Sequence, residues 1–265
     1  MVRAAVEEDR QALIRLRCAR SGGTEEDAAG WLCKVAGLDN ILVVQPAERP
    51  PAAMLGAVPV RCGERRGIWF CGAAAADGVP LESCLRAFSA KGYDFAVLTP
   101  DSAAEAARLE KLGFQNLLPT RVLKKPIRRN LMAHAEFDSL TVRRWLEMRQ
   151  RYQPGCVNLP ESAMNEVMAQ LYRHGLTIVS NRRGYGLYFT KGDRLQFLEL
   201  QADQDYCADL LLQAAREKTG AEQAQVLLAE NQALYLGAGR RCGYGMIAFL
   251  RGEFPITDVY FRMLL

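Results

Sequence analysis

The sequence is poor in metal-binding side chains and in long apolar runs. Its 265 residues include only 2 histidines, and its 8 cysteines are scattered without a Cys-x-x-Cys pair, so no metal site is expected. No apolar run reaches the roughly 18 residues that span a membrane, and no secretory signal opens the sequence. Scattered thiols within apolar patterns are typical of a reducing compartment. These absences predict a cytoplasmic protein that has no membrane partner.

The charge of the chain is balanced rather than strongly basic. A net charge of +4, with 49% hydrophobic and 24% charged residues, is ordinary for a soluble globular protein. One basic cluster stands out, namely Lys124, Lys125, Arg128 and Arg129. It would suit an anion or a nucleic acid, but no aromatic residues interleave with it to stack on bases. We therefore interpret it as a solvated linker and expect no nucleic-acid partner.

The strongest local signals lie in residues 67–114. The runs Ile68–Cys71 and Phe95–Leu98 are rich in β-branched and aromatic residues, which is typical of strands. Apolar residues three and four positions apart predict a helix over 80–91, and a second helix is predicted over 102–112. This order and spacing indicate a βαβ unit that contains two parallel strands.

The residues before this βαβ unit and those in the second half of the chain also predict strands and helices. Residues 2–60 predict a strand, two helices and two antiparallel strands before the βαβ unit. In the second half, 194–200 and 225–228 are predicted strands on either side of a helix over 206–218. The chain is therefore expected to be α+β, with a boundary near residue 127.

These patterns resemble the GCN5-related N-acetyltransferase (GNAT) family. The resemblance rests on FAVLTP at 95–100, on LEKLGF at 109–114 and on the order of elements. The short sequences at 244–246 and 260–265 are similar to the second lobe of two-lobed bacterial GNAT proteins. The resemblance implies two GNAT-like lobes, 1–127 and 128–265, each with a mixed central sheet flanked by helices.

The resemblance also implies a cofactor and a reaction. GNAT enzymes use acetyl-CoA to acetylate an amine, here expected to be a small molecule. The cofactor would lie where two strands splay apart, against Ala73, Ala75, Gly78 and Thr99. The alternative, non-functional interpretation of residues 73–78 is a tight turn between a strand and a helix.

Two departures from the family pattern weaken this expectation. The phosphate-binding segment is only AADGVP, in which Asp77 adds a negative charge and Pro80 lacks an N–H donor. The tyrosine that often serves as general acid is replaced by Leu109. We therefore expect weak binding of acetyl-CoA, and a non-catalytic GNAT-like module that binds a ligand or a partner is the alternative function.

Three residues are candidates for catalysis. Glu199 ends an apolar strand and would serve as a general base, although a solvent-facing acid is the preferred interpretation. Tyr260 lies in a late apolar run, where tyrosines usually serve packing. The resemblance to two-lobed relatives implies that the terminal strand delivers the carboxylate of Leu265 as a base.

Overall fold

The computed structural model describes residues 2–45, 50–74, 81–257 and 259–264. The chain divides into two compact units. The first contains Met1–Leu117, Asn158–Val167 and Gly245–Pro255, and the second contains Leu118–Val157, Met168–Tyr244 and Ile256–Leu265. Strand Arg240–Phe249 therefore begins in the second unit and ends in the first.

The helices begin and end close to the predicted positions. They are α1 Arg10–Ser21, α2 Glu25–Gly30, α3 Leu81–Ala90, α4 Ala103–Glu110, α5 Val142–Tyr152, α6 Glu161–Arg173 and α7 Asp205–Thr219. A π-helical segment over Trp31–Ala36 continues α2, which the sequence did not predict. Gly92 and Gly113 follow α3 and α4 with φ of +80° and +88°, the left-handed conformation that commonly ends a helix.

The strands include those that the sequence predicted and two short ones, over 136–137 and 155–158, that it did not. They are β1 Val2–Ala4, β2 Ile41–Val44, β3 Ala53–Cys62, β4 Arg65–Ala74, β5 Phe95–Leu98, β6 Gln115–Pro126, β7 Glu136–Phe137, β8 Gly155–Asn158, β9 Thr177–Asn181, β10 Gly184–Lys191, β11 Arg194–Ala202, β12 Gln223–Ala229, β13 Arg240–Phe249 and β14 Val259–Tyr260. In the main strand order of each unit, antiparallel neighbours flank one parallel pair, and a separate parallel pair joins β8 and β14.

In the first unit the strand order is β1-β2-β3-β4-β5, followed by the end of β13. The parallel pair is β4 and β5, connected through α3 as predicted. Apolar side chains of β4, β5, α3 and α4 form a common core, which includes Ile68, Ala96, Leu85 and Leu109. This packing fixes β4 and β5 against their crossover helix.

In the second unit the order is β6-β12-β11-β10-β9-β7, and the parallel pair is β11 and β12. Helix α7 makes their crossover and buries Cys207, Leu211 and Ala215 against the sheet. The described strands thus form a large mixed sheet with flanking helices, as the α+β prediction required.

Two sequence-based expectations are wrong. Lys124 and Lys125 do not lie in a linker, because β6 extends to Pro126 and pairs with β12. The final strand covers only Val259–Tyr260, so 261–264 is not a strand although its side chains are buried. Side chains hold this end instead, since the Asn231 amide donates to the carbonyls of Thr257 and Val259, both at 2.8 Å.

Candidate functional site

Strand β4 extends beyond the end of its parallel neighbour β5. Their pairing runs from Gly67 opposite Phe95 to Trp69 opposite Val97, whereas β4 continues to Ala74. We call the opening beyond Trp69 and Val97 the first wedge. Beyond that point, the backbone N–H and C=O groups on the β5 side of β4 form no ladder with β5. Such groups suit pairing with an extended ligand.

A β-bulge lies in the part of β4 that extends beyond this pairing. Met54 of β3 lies opposite Ala74 and Gly56 lies opposite Cys71, so one residue of β3 faces two residues of β4. An extra residue bends the strand that carries it and increases its twist. The bulge follows Cys71 directly and therefore bends the end of β4 that has no β5 residue beside it.

The predicted cofactor residues relate to this wedge in different ways. The backbone of Ala73 forms part of the bulge, and Thr99 follows β5 and is exposed. Ala75 and Gly78 lie outside the described residues, as do Asp77 and Pro80 of the expected phosphate segment. The structure thus describes the strand ends that bound the first wedge.

The second unit repeats the same construction. Pairing of β11 with β12 ends at Phe197 opposite Val226, while β11 continues to Ala202. On its other side, Phe197 and Glu199 face adjacent residues of β10, which leaves Leu198 as an extra residue in β11. A bulge again accompanies the separation of a parallel pair, and we call this opening the second wedge.

The second wedge is closed by side chains of the chain itself. The Gln232 amide accepts a hydrogen bond from the backbone N–H of Ala229 on β12, at 3.2 Å, and donates to the carbonyl of Leu200 on β11. The guanidinium of Arg262 donates to the carbonyl of Leu198. Within the described residues, no side chain makes an equivalent bridge between β4 and β5. We therefore consider the first wedge, and not the second, to be the candidate ligand site.

Glu199 lies in a buried polar cluster beside the second wedge. Its side chain is 0% exposed and accepts from Arg149 Nε at 3.2 Å, while the Tyr185 hydroxyl donates to its other oxygen. The preferred interpretation of a solvent-facing acid is therefore wrong. Arg149 also donates to the backbone carbonyl of Arg262, so the cluster fastens the last residues of the chain.

Tyr260 belongs to the same cluster. The guanidinium of Arg149 lies 5.4 Å from its ring centre and 5.5 Å from that of Trp145. Burial, followed by the charge of Glu199, raises the pKa of both Tyr185 and Tyr260 well above its ordinary value. Both phenols are therefore neutral hydrogen-bonding groups near pH 7. Tyr260 and Glu199 both contact the guanidinium of Arg149.

Arg149 is the residue that sequence reasoning missed here. Burial lowers its pKa, but the nearby acidic groups, Cys156 and Glu199 first, raise it overall, so it remains a cation. A signal was available, because Arg149 shares the buried stripe of α5 with Trp145 and Met148, at helical spacing. A charge on a buried stripe requires a partner, which is Glu199.

The remaining features of the site can be stated briefly. Leu109 is 1% exposed and packs in the first core with Phe114, so its side chain is part of that core. Within the ranges that the structure describes, no three metal-ligating side chains converge. Among the same residues, no helix is both long and apolar enough to cross a membrane. Leu265 lies outside the described residues.

Comparison with solved structures gives consistent matches at low sequence identity. A probable N-acyltransferase from Enterococcus faecalis V583 has a TM-score of 0.67 at 10% identity, over 94% of this chain and 72% of that one. A GCN5-related N-acetyltransferase from Kribbella flavida has a TM-score of 0.66 at 16% identity, with coverage of 94% and 72%. A tandem GNAT protein from the clavulanic acid biosynthesis pathway has 0.55 at 10%, with 96% and 100%.

Sequence comparisons provide no further assignment, since no family model and no curated protein matches the chain. At 10% to 16% identity, the structural matches establish the arrangement of the backbone. In this chain the arrangement includes a parallel strand pair with a crossover helix in each unit. The protein thus has the α+β fold of the GCN5-related N-acetyltransferases, with two GNAT-like lobes.

Proposed function

We propose that the protein is an acetyl-CoA-dependent N-acetyltransferase that acts on a small amine and holds the cofactor in the first wedge. The observation that carries this proposal is the bulged end of β4, which continues to Ala74 after its pairing with β5 has ended at Trp69. Exposed backbone donors on such a strand suit the amide groups of pantetheine. The closed second wedge supports a single cofactor site in each chain.

The reaction requires little from side chains in the first wedge. The amine nitrogen attacks the thioester carbonyl carbon, a C–N bond forms, and the C–S bond breaks as the electron pair leaves with sulfur. The nitrogen loses a proton to a base, and the thiolate takes one from an acid or from water. A backbone N–H of β4 aimed at the carbonyl oxygen would stabilise the developing oxyanion.

The catalytic base remains a prediction with three candidates, Glu199, Tyr260 and the carboxylate of Leu265. Glu199 is fully buried, and both of its carboxylate oxygens already accept hydrogen bonds, from Arg149 and from Tyr185. We therefore expect Glu199 to act through the position of its neighbours. Leu109 lies in the core and has no proton to give, so water is the expected source of the proton for the thiolate.

Binding of acetyl-CoA is expected to be weak, at high micromolar or above, because Asp77 places a negative charge in the expected phosphate segment. Two like charges near 4 Å repel by about 1 kcal/mol in water and by about 4 kcal/mol at an effective dielectric of 20, and each 1.4 kcal/mol is about tenfold in affinity. Calorimetry should show that Asp77→Asn tightens binding, most clearly at low salt. Glu64→Gln, in the turn between β3 and β4, is the control. Tight wild-type binding that ignores the substitution and the salt would contradict this expectation.

Occupation of the first wedge is tested by blocking it. Thr99→Trp adds a bulky side chain to an exposed position at the end of β5 and should abolish measurable binding of acetyl-CoA. Thr190→Trp makes the same change at an exposed position of β10, in the other unit, and should leave binding unaffected. If both variants bind like the wild type, the cofactor does not use the first wedge.

A second candidate function is a non-catalytic GNAT-like module that binds a ligand or partner. It is favoured by Leu109, whose burial in the core leaves a leucine in place of the usual acid. Release of CoA with a panel of amines separates the two functions. A protein that binds acetyl-CoA and releases no CoA beyond the hydrolysis rate would favour the non-catalytic module.

A further inference from the structure

The segment between β6 and β7 carries the two most exposed large hydrophobic side chains among the described residues. Leu131 is 69% exposed and Met132 is 77% exposed. They are adjacent in sequence and lie in a turn over 130–133, which we call the apolar turn. A single exposed apolar residue is normal on a protein surface, but two neighbours that project together form a candidate contact surface.

The apolar turn is held in place by hydrogen bonds to α7. The backbone N–H of Asn130 donates to the carboxylate of Glu217 at 3.0 Å, and its side-chain amide donates to Gln213 Oε1 at 2.6 Å. The Asn130 side-chain oxygen also accepts from the backbone N–H of Met132 at 3.1 Å. The exposure of Leu131 and Met132 is therefore a fixed feature of the folded chain.

Three exposed cations precede the apolar turn, namely Lys124, Arg128 and Arg129. Within the described part of the chain, none of them forms an ion pair with an acid. Between them Ile127 is buried, and its backbone N–H donates to the carbonyl of Glu222 at 2.8 Å. Arg128 and Arg129 thus lie between two anchored positions, directly beside the exposed apolar pair.

The acids of α7 that lie nearest to this segment are bound to other groups. Asp209 pairs with Lys125 at 2.6 Å. Glu217 accepts from the backbone of Asn130 and pairs with Arg216 at 3.3 Å. The three exposed cations therefore remain available for an anion from outside the chain.

We propose that the apolar turn and its three cations bind the surface of an anionic membrane. Leu131 and Met132 enter the boundary between headgroups and acyl chains, while Arg128 and Arg129 contact lipid phosphates. A small apolar insertion and a basic cluster are two weak signals that together give reversible attachment. The expectation of no membrane partner rested on the lack of a spanning run and of a signal, neither of which concerns a surface contact. The inference is independent of the proposed acetyltransferase function.

A lipid surface fits these residues better than an acidic protein does. A stable interface between proteins buries about 1,200–2,000 Å² in total, and two projecting side chains supply little of that area. Lipids close around a projecting side chain, whereas a protein partner would need a cavity of matching shape. An acidic protein segment is therefore the rival partner that the experiments must separate from a membrane.

Sedimentation with lipid vesicles tests the proposal directly. At about 0.05 M salt, the protein should pellet with vesicles of phosphatidylcholine that contain about 30% phosphatidylglycerol, and it should stay in solution with phosphatidylcholine alone. Raising the salt to about 0.3 M should weaken binding, because it screens the charge of the lipids. Failure to bind anionic vesicles at low salt would overturn the proposal in favour of an acidic protein partner, and equal binding to both vesicles would overturn the role of the cations.

A double variant assigns the apolar contribution. Leu131→Ser with Met132→Ser should weaken binding to anionic vesicles at least about tenfold, because the burial of two apolar side chains is lost. Tyr206→Ser with Tyr235→Ser is the matched control, since these tyrosines of the same unit are 66% and 61% exposed. The control should bind like the wild type. Equal binding by both double variants would contradict the insertion of the apolar turn.

A second double variant assigns the basic contribution. Arg128→Gln with Arg129→Gln should weaken binding by about fivefold for each cation, or about 25-fold together. Arg182→Gln with Arg240→Gln removes the same charge from exposed positions elsewhere in the unit and should have little effect. Equal losses in the two variants would show that only the net charge of the protein matters, and the proposed site would be wrong.

Fluorescence separates insertion from adsorption by charge alone. The three native tryptophans, Trp31, Trp69 and Trp145, are buried, so Met132→Trp adds the one exposed reporter among the described residues. On addition of anionic vesicles its emission should shift to the blue and be quenched by brominated acyl chains. Tyr235→Trp should show neither change. Binding without a blue shift in Met132→Trp would mean that the apolar turn stays in water and would overturn the proposal.

Discussion

At the scale of single residues, Arg149 and Glu199 form an ion pair that is almost completely buried, with side-chain exposures of 1% and 0%. Removing one partner of such a pair leaves an uncompensated charge and typically costs about 3–5 kcal/mol. Glu199→Gln should therefore lower the free energy of unfolding by about 3 kcal/mol in denaturant titrations. It keeps an acceptor for Tyr185 but no longer neutralises Arg149.

The matched control for this prediction is Glu147→Gln, because Glu147 also pairs with an arginine, Arg144, but on an exposed face of α5. That change should move the unfolding midpoint little, since exposed pairs are weak. Combining Arg149→Met with Glu199→Gln should recover much of the loss. A Glu199→Gln protein as stable as the control would show that the charge of Glu199 is not needed there.

Leu109 gives a second prediction at this scale. A tyrosine at this position would restore the family's usual residue, but the site is a packed core beside Phe114. Adding a ring and a hydroxyl there should cost about 1–3 kcal/mol, whereas the volume-conserving Leu109→Met should cost less than about 1.5 kcal/mol. Thermal unfolding of the two variants measures the difference. A stable Leu109→Tyr protein with faster CoA release would contradict this view of the site.

At the scale of elements, Gln232 tests how the second wedge is held closed. Gln232→Ala leaves the buried N–H of Ala229 and the carbonyl of Leu200 without their partner, which typically costs about 1–3 kcal/mol. Calorimetry should still give one acetyl-CoA per chain, because Arg262 continues to cover Leu198. A second equivalent of bound cofactor in the wild type would contradict the contrast between the two wedges.

The elements themselves were largely predictable from the sequence. Strands such as Phe95–Leu98 and Ile41–Val44 lie where local composition placed them, because a short β-branched run between turn residues has few alternatives. The N-terminal cap of α2 also follows a local rule, since the Thr24 hydroxyl accepts from the Asp27 N–H at 3.1 Å. Local composition and helix-capping rules were therefore sufficient to predict these elements.

The candidate site was less predictable because its contacts are distant in sequence. Glu199 meets Arg149 across 50 positions, and no periodic pattern joins an α5 residue to a β11 residue. A terminal strand was expected within residues 260–265, since the sequence signal for a buried strand and for a buried extended segment is the same. The bulge of β4, which opens the first wedge, has no signal beyond the glycine at position 72.

At the scale of the whole molecule, buried tyrosines predict a limit to stability in alkali. The folded pKa values of Tyr185 and Tyr260 lie well above their ordinary value, so the folded chain keeps protons that the unfolded chain releases near pH 10. The stabilisation is complete below about pH 10 and declines as pH rises above it, by about 1.4 kcal/mol per pH unit for each tyrosine. Denaturant titrations between pH 8 and 11 measure this slope.

Tyr260→Phe provides the comparison, because it removes one of the titrating groups and keeps the ring against Arg149. Its stability should fall less steeply than that of the wild type above pH 10. Identical slopes would show that Tyr260 ionises in the folded protein as easily as in the unfolded chain.

Strand β13 contributes residues to both compact units, which affects whether either lobe can be produced alone. Met246–Phe249 pair with Leu98–Phe95, so the strand that completes the edge of β5 is encoded more than a hundred positions after β5 itself. A gene fragment for residues 1–127 would leave that wholly apolar strand without its neighbour, the kind of edge that recruits other chains. Residues 1–127 produced alone are therefore expected to associate through the open edge of β5 unless residues 246–249 are supplied with them.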